Sequence, residues 1–216
     1  MLLELKQITV PPGQHLLLNN VSWSEFENIL EELGEHRASR IAYDNGILEI
    51  MTPLPEHERN KEQVSDFVKA LLEELDIEFC SLGSTTFKNS ERFQGIEPDN
   101  CFYIKNEALV RSKDRLDLTV DPPPDLALEI DVTSRTHTDI YQALKVPEFW
   151  RFERGRLQIN VLRGEYVQTE TSPTFPNFPL KQAIPQYLEQ CKRDGRNKTM
   201  KAFRNWVRER QKSEDR

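Results

Sequence analysis

The sequence predicts a single α/β domain built on a mixed β-sheet. Segments with the two-residue alternation of strands interleave along the chain with segments whose apolar residues recur at helical spacing. No repeat, low-complexity tract or Gly/Ser linker divides the 216 residues, a length typical of one domain. Because interleaved strands and helices are typical of helices packed on a sheet, we expect one domain over residues 1–216.

The first two predicted elements are a helix and a hairpin. The helix covers residues 22–33, with Ser22 or Ser24 as its cap. Its apolar positions recur at helical spacing: Phe26, Ile29, Leu30 and Leu33. In the segment RIAYDNGILEIM, Asn45-Gly46 lies between two alternating apolar runs and supplies the positive φ angles of a tight turn. This pattern predicts a β-hairpin that ends before Pro53.

A long helix is predicted over residues 56–75. Its apolar stripe comprises Val64, Phe67, Val68, Leu71, Leu72 and Leu75. At about 100° per residue, His57 falls within roughly 20° of the centre of that stripe and Lys61 about 60° from it. Glu58 and Glu62 point well away from the stripe. The helix therefore turns His57, and less fully Lys61, toward the interior.

The rest of the chain alternates between predicted strands and helices. Strands are predicted over residues 77–81, 85–88, 101–104 and 126–132, and the last has the strongest strand pattern in the sequence. A helix over residues 139–144 leads into VPEFWRF, where we expect Phe149 and Trp150 to pack between sheet and helix. The remaining elements are a hairpin over 156–162 and 166–169 that turns at Gly164, and two helices over 185–191 and 198–211 in a C-terminal extension (185–216).

Composition argues against several classes of protein. No window is long and apolar enough for a membrane span, and the start of the chain lacks the apolar stretch of a secretory signal. Three cysteines without CxxC spacing argue against a disulfide framework and a structural zinc knot. No GxxxxGK[ST], GxGxxG or HExxH motif is present. We expect a reduced, cytoplasmic protein with no membrane partner.

The charge is unevenly distributed along the chain. The net charge of −7 argues against a protein that binds nucleic acid over its whole surface. Residues 189–216 hold 10 Lys/Arg and 5 Asp/Glu, whereas residues 1–188 hold 19 and 31. This asymmetry permits a local basic surface, for which Lys201, Arg204 and Arg208 on the last helix are candidates. A solvated terminal helix is the alternative.

Two carboxylates share one face of the strand predicted over residues 126–132. Side chains alternate across a strand, so Glu129 and Asp131 point the same way. Flanking helices should partly bury them, and a buried charge without a partner is costly. A divalent metal is one compensating partner, and an ion pair with Arg135 or Lys61 is the other.

Asp99 adds a third carboxylate, because it follows Pro98 at the mouth of another predicted strand. If the two strands are neighbours, Asp99, Glu129 and the carbonyl of Ile130 converge. An all-oxygen site of this kind suits Mg²⁺ or Mn²⁺. Such a metal polarises a phosphodiester and lowers the pKa of an attacking water.

The segments EPDNCFYI, PPPDLALEIDVTSRT and YQALKVPEFWRF resemble those of the restriction-endonuclease family of the Uma-two type, in the PD-(D/E)XK nuclease superfamily. The resemblance includes the YDNGILEIMTP hairpin and the helix bearing His57, and covers a core over about residues 40–168. It implies a restriction-endonuclease-like α/β core with a mixed sheet of about four to five strands flanked by helices. To this core the sequence adds an extra β-hairpin and the C-terminal helices. The resemblance also implies Mg²⁺-dependent hydrolysis of nucleic acid, with DNA as the expected substrate, and a homodimer. Asp99 matches the aspartate of the PD element and Glu129 the first residue of the (D/E)XK element.

One position departs from the superfamily pattern. The lysine of the (D/E)XK element falls on Asp131, and Lys145 does not match the lysine that relatives carry on the following helix. Since that lysine positions the water or stabilises developing charge, Lys61 or Arg135 could substitute for it. His57, with an unperturbed pKa of about 6.5, could act as the base.

Three hypotheses follow for the function. The leading one is a Mg²⁺- or Mn²⁺-dependent nuclease. Its site residues would be the metal ligands Asp99, Glu129 and Ile130 (carbonyl), Asp131 as a further ligand or outer acid, and Lys61 or His57 to assist the water. The alternative is a catalytically degenerate nuclease-fold module that binds nucleic acid or protein without cleaving. The third is a structural role in which Glu129 and Asp131 pair with arginines.

Overall fold

The structure is a computed structural model that describes residues 7–34, 39–89, 93–131 and 138–214. Its elements in chain order are β1 (His15–Asn19), α1 (Trp23–Leu33), β2 (Arg40–Asp44), β3 (Ile47–Met51), α2 (Pro55–Glu74), β4 (Cys80–Ser81), β5 (Phe87–Asn89), β6 (Gln94–Ile96), β7 (Asn100–Tyr103), α3 (Glu107–Val110), β8 (Leu126–Asp131), α4 (Thr138–Ala143), β9 (Glu148–Glu153), β10 (Arg156–Arg163), β11 (Glu165–Thr169), α5 (Leu180–Asp194) and α6 (Arg196–Glu214). The strands form two sheets with helices packed on them, which confirms the predicted α/β class. Among these helices, none is long and apolar enough to cross a membrane.

The smaller sheet has the strand order β1-β3-β2-β6-β5 and is antiparallel throughout. The predicted hairpin forms its β2–β3 pair, and the turn has Asn45 at φ 45° and Gly46 at φ 92°. Asn and Gly adopt these left-handed values at little cost, which explains why the turn forms at this dipeptide. The hairpin is therefore part of a second sheet, whereas an extra hairpin on a single sheet was expected.

The larger sheet has the order β11-β10-β9-β8-β7-β4. It is mixed as predicted, because β8 and β9 run parallel whereas the other neighbours are antiparallel. With six strands in the described chain, it is wider than the four to five expected. One added strand is β9, in the VPEFWRF segment. Its Phe149 and Trp150 are buried on opposite faces of the sheet, so the segment lacks the polar alternation that identifies a strand.

Two helix starts illustrate how local chemistry and packing place the helices. Ser22 caps α1: its hydroxyl accepts from the Glu25 N–H, and the Glu25 carboxylate accepts from the Ser22 N–H. Helix α5 begins at Leu180, earlier than the start predicted at Pro185, which lies inside the helix. Burial of Leu180 and Ile184 in the main core stabilises this first turn.

The described residues form three apolar clusters, one of which includes residues of both sheets. Helices α2, α5 and α6 cover one face of the larger sheet, and α4 covers part of the other face. Helix α1 packs on the smaller sheet through Phe26, which lies over Gly95. A Cβ added at Gly95 would come within 2.9 Å of the Phe26 ring, so this packing requires glycine.

Helix α6 docks within the chain. Its Phe203 and Val207 are buried in the main core, so this apolar face is not available to a second subunit. Arg204 bonds to Glu73 and Glu74 of α2, and Arg208 bonds to Glu74. Two of the three cations expected to contact phosphate are therefore held in ion pairs.

Candidate active site

Asp99 lies where the chain crosses from the smaller sheet to the larger one. Strand β6 ends at Ile96, β7 begins at Asn100, and the Glu97-Pro98-Asp99 segment joins them. Asp99 is 2% exposed, and its Oδ2 accepts a hydrogen bond of 2.7 Å from the Ile130 N–H. The structure thus brings Asp99 onto the acidic strand, as the sequence predicted.

Glu129 lies on β8, on the face opposite the main core, and it is partly exposed. Its Oε1 accepts a hydrogen bond from the hydroxyl of Tyr141 on α4. The Tyr141 ring is buried and stacks on Phe149, with 4.8 Å between the ring centroids. Burial and the charge of Glu129 raise the pKa of Tyr141 well above its usual range, so the hydroxyl remains a donor. Sequence analysis missed Tyr141, because nothing local marks it as a partner of Glu129.

His57 is buried near the start of α2, as the position of the apolar stripe predicted. Its Nε2 lies 3.0 Å from Asp99 Oδ2, and its Nδ1 lies 3.4 Å from Glu58 Oε1. Burial alone lowers the pKa of His57, but its contacts with Asp99 and Glu58 outweigh that effect and raise the pKa to about 9. The imidazole is therefore protonated at neutral pH and has no lone pair with which to accept a proton. This geometry supports His57 as a donor to Asp99 and not as the expected base.

Glu58 gathers three cations at the edge of the site. Its carboxylate lies 3.5 Å from Arg40 Nη2 and 3.1 Å from Lys61 Nζ, besides the contact with His57. The interaction with His57 lowers the pKa of Glu58 to about 2, against the effect of burial and with the help of Lys61 and Arg40. Glu58 was expected to point away from the apolar stripe of α2 and into solvent, but its side chain is only 40% exposed. Arg40, another residue missed from sequence, also lies 3.8 Å from Asp99 Oδ1.

Lys61 and Lys145 lie outside the contacts that the described residues make with Asp99. Lys61 pairs with Glu58 and makes no ion pair with Asp99 or Glu129 in the described chain. Arg135 and the side chain of Asp131 lie outside the described residues. Lys145 is exposed just after α4, at φ 60°.

Asp99 and Glu129 present oxygen ligands that fit a hard divalent cation. The pairing of Asn100 with Leu128 places Asp99 level with Glu129 across the two strands. The N–H and C=O of one strand residue point to the same side, so the Ile130 carbonyl faces the Asp99 edge as its N–H does. Mg²⁺ uses one or two carboxylates and keeps several waters, which agrees with this set. No group of three His, Cys, Asp or Glu side chains within the described ranges could hold a metal ion by itself.

A polar cleft of about 600 Å³ opens beside the site. Arg40 and Glu97 line it near Asp99, and Lys88, Lys113 and Arg115 also line it. Glu97 is buried and accepts a hydrogen bond from the Thr86 hydroxyl, also in the cleft. The cleft thus offers cationic and hydroxyl side chains next to Arg40, which contacts Asp99.

Comparisons with known proteins place the chain in a family. The Uma2 family model, described as "Putative restriction endonuclease", matches residues 23–190, more than three quarters of the chain. The chain belongs to the Uma2 family. The matched range includes Asp99, Glu129, His57 and Tyr141. The residues that meet at the site of this Uma2 protein therefore all lie within the part of the chain that matches the family model.

A solved structure with a similar fold is described as a putative nuclease belonging to DUF820, from Anabaena variabilis ATCC 29413. It superposes on this Uma2 protein with a TM-score of 0.53 and 13% sequence identity, over 76% of this chain and 97% of the other. At that identity, the likeness shows a shared fold. No curated protein matches the sequence.

Proposed function

We propose that this Uma2 protein is a divalent-metal-dependent nuclease that hydrolyses phosphodiester bonds of DNA. The observation that carries the proposal is the convergence of buried Asp99 with Glu129 and the Ile130 backbone at one end of β8. Membership of a family described as restriction endonucleases and the nuclease-like fold support it. Restriction-endonuclease-like families generally use divalent metals.

In this proposal, Asp99, Glu129 and the Ile130 carbonyl hold Mg²⁺ or Mn²⁺, and Asp131 serves as a further ligand or outer acid. When bound, the metal supplies Lewis-acid polarisation of the phosphodiester and a more acidic water. Tyr141 orients the Glu129 carboxylate through its hydrogen bond to Oε1.

His57 and Lys61 act on the electrostatics of the site. The His57 imidazolium donates to Asp99 Oδ2 and holds that carboxylate in place. Lys61 pairs with Glu58, which in turn contacts His57, so its contribution to the water is indirect. The cleft receives the phosphate backbone chiefly through Arg115, because Arg40 and Lys113 also pair with Glu58 and Asp121. Nucleic-acid contacts are thereby confined to one groove on an acidic protein.

A calorimetric Mn²⁺ titration tests the metal site without knowledge of the substrate. Wild type is compared with the Asp99→Ala/Glu129→Ala double variant, and Glu165→Ala, an exposed carboxylate on β11, is the control. We expect binding in wild type and the control, and loss of binding in the double variant. In a companion assay on DNA and RNA, Glu129→Ala should lower cleavage by at least about 100-fold. Cleavage by Glu129→Ala at the wild-type rate would overturn the assignment.

The second candidate function is that of a nuclease-fold module that binds without cleaving. It is favoured by Asp131 at the lysine position and by the ion pairs that His57 and Arg40 already make with Asp99. It predicts salt-sensitive DNA binding and no cleavage with any metal. Deleting α6 would not test it cleanly, because Phe203 and Val207 of that helix are part of the core.

We also propose that the protein forms a homodimer, as the family resemblance implies. The dimer requires a surface other than the apolar face of α6, which is covered within the chain. Sedimentation equilibrium tests this proposal, and a monomer mass at all concentrations would overturn it.

A further inference from the structure

A row of polar side chains crosses the larger sheet in register with the carboxylates. Glu129 on β8 is the direct partner of Arg151 on β9, and Arg151 is the partner of Gln158 on β10. Cross-strand partners share one face of a sheet, so these three side chains lie on the same face. Asp99, just before β7 and level with Glu129, lies beside the end of this row.

The neighbouring row on the same face is apolar. Ala127 on β8 is the partner of Phe149 on β9, and both are buried beneath α4 and its surroundings. Arg151 is 22% exposed, and its Nη2 lies 3.3 Å from Glu153 Oε2, two residues further along the same strand face. The ion pair keeps the guanidinium on this face, at the boundary between the apolar row of Ala127 and Phe149 and the solvent.

We infer that Arg151 binds the phosphodiester beside the metal-binding carboxylates and supplies the positive charge that Asp131 cannot supply at the lysine position. This inference rests on the proposed function. Arg151 is a better candidate than Lys61, because it is the direct cross-strand partner of Glu129, whereas Lys61 lies on α2 and not in this row.

The chemistry of arginine defines what Arg151 does. A planar guanidinium offers paired N–H donors that match two phosphate oxygens, and it keeps its proton at neutral pH. In hydrolysis, the water oxygen forms a bond to phosphorus as the bond to the leaving oxygen breaks. One water proton goes to solvent, and the leaving oxygen takes a proton from solvent. Arg151 remains charged throughout and stabilises the negative charge on the non-bridging oxygens.

The test separates phosphate binding from cleavage. Thymidine 5′-monophosphate is titrated calorimetrically in the presence of Mn²⁺, and hydrolysis of its p-nitrophenyl ester is followed by release of p-nitrophenol. The variants are Arg151→Gln, Arg151→Lys and the control Arg154→Gln. Arg154 also lies near Glu153, at 4.0 Å, but it is 90% exposed at the β9–β10 turn.

We expect Arg151→Gln to weaken nucleotide binding at least about 10-fold, and to lower kcat for the ester at least about 100-fold. Its affinity for Mn²⁺ alone should remain near that of wild type. Arg151→Lys should restore part of the binding, and Arg154→Gln should match wild type. Nucleotide binding by Arg151→Gln within twofold of wild type would overturn the inference, as would an equal loss in Arg154→Gln.

The outcomes also separate this inference from the proposed function. If wild type binds the nucleotide through Arg151 but hydrolyses nothing, the nuclease proposal fails and the phosphate site stands. If Arg151→Gln hydrolyses the ester like wild type, the nuclease proposal stands and the role of Arg151 is wrong. If Arg151→Gln does not fold, Arg151→Lys decides, since binding identical to wild type would contradict a paired guanidinium contact.

Discussion

His57 Nε2 and Asp99 Oδ2 are 3.0 Å apart, and each side chain is 3% exposed. Two buried groups this close form a charge-assisted pair, which Arg40 and the Ile130 N–H extend. The negative charge of Asp99 is therefore balanced by the protein itself, so folding does not require a metal. Chelation should therefore leave the protein folded, and circular dichroism with EDTA would check this.

The first prediction concerns this pair. His57→Ala leaves Asp99 with one partner fewer in a buried site, so we expect a loss of about 3 kcal/mol in the free energy of unfolding. Urea unfolding measures the loss. Glu62→Gln, an exposed change on the same helix, is the control and should stay within about 0.5 kcal/mol of wild type. A loss below about 1 kcal/mol in His57→Ala would show that the pair contributes little.

The second prediction concerns Tyr141, whose hydroxyl donates to Glu129. Tyr141→Phe removes the donor that orients this carboxylate, so Mn²⁺ affinity should fall about 10- to 100-fold by calorimetry. Tyr166→Phe is a matched control, because it also removes a hydroxyl donor, in this case to the Val146 carbonyl at 2.8 Å. Equal effects of the two changes on Mn²⁺ affinity would indicate a general loss of stability and not a role in orienting Glu129.

The third prediction concerns the cleft. Arg115→Gln removes one cation from its lining, so DNA binding should weaken roughly uniformly across sequences and the salt dependence should fall by about one phosphate contact. Fluorescence anisotropy in a Glu129→Ala background without metal measures binding in the absence of cleavage. Arg163→Gln, on an exposed residue that does not line the cleft, should leave both quantities unchanged. An unchanged salt dependence in Arg115→Gln would place the DNA elsewhere.

The fourth prediction concerns the ion pairs between α2 and α6. The hydrogen bond with Arg208, against a smaller effect of burial and with the help of Arg204, lowers the pKa of Glu74 below its usual 4.5. A lowered pKa in the folded state stabilises the protein above pH 4.5, and that stability is lost as the pH falls through the folded-state pKa. Glu74→Gln should therefore be less stable than wild type at pH 7, by up to about 1 kcal/mol. Thermal melts at decreasing pH measure the difference in stability between wild type and Glu74→Gln, which should shrink in acid. A stability difference that stays constant as the pH falls would contradict this account.

Local patterns were sufficient to predict several parts of the fold. The Asn45-Gly46 dipeptide by itself predicts where the hairpin turns. The alternation of side chains along β8 places Glu129 on the face opposite the main core. Helical spacing was likewise enough to turn His57 inward. These features depend only on residues close together in the sequence.

Features that depend on strand pairing could not be predicted in this way. Strand β9 buries Phe149 and Trp150 on opposite faces between charged residues, so its sequence lacks the two-residue alternation that identifies a strand. Without β9, the register of Arg151 with Glu129 has no basis in the sequence. Tyr141 and Arg40 reach the carboxylates from α4 and the smaller sheet, so their roles depend on contacts between distant segments.

The short Glu97-Pro98-Asp99 crossing couples the position of the Asp99 carboxylate to the position of the smaller sheet. Three residues cannot absorb a displacement of one sheet relative to the other, so any tilt of the smaller sheet repositions the Asp99 carboxylate. Pro98 makes this connection stiffer, because its ring fixes the backbone φ angle. Substitutions beneath Phe26, such as at Gly95, should therefore lower activity from a distance. A random-mutation screen for lost cleavage would then recover two separate groups of positions, one around the carboxylates and one in the packing of the smaller sheet.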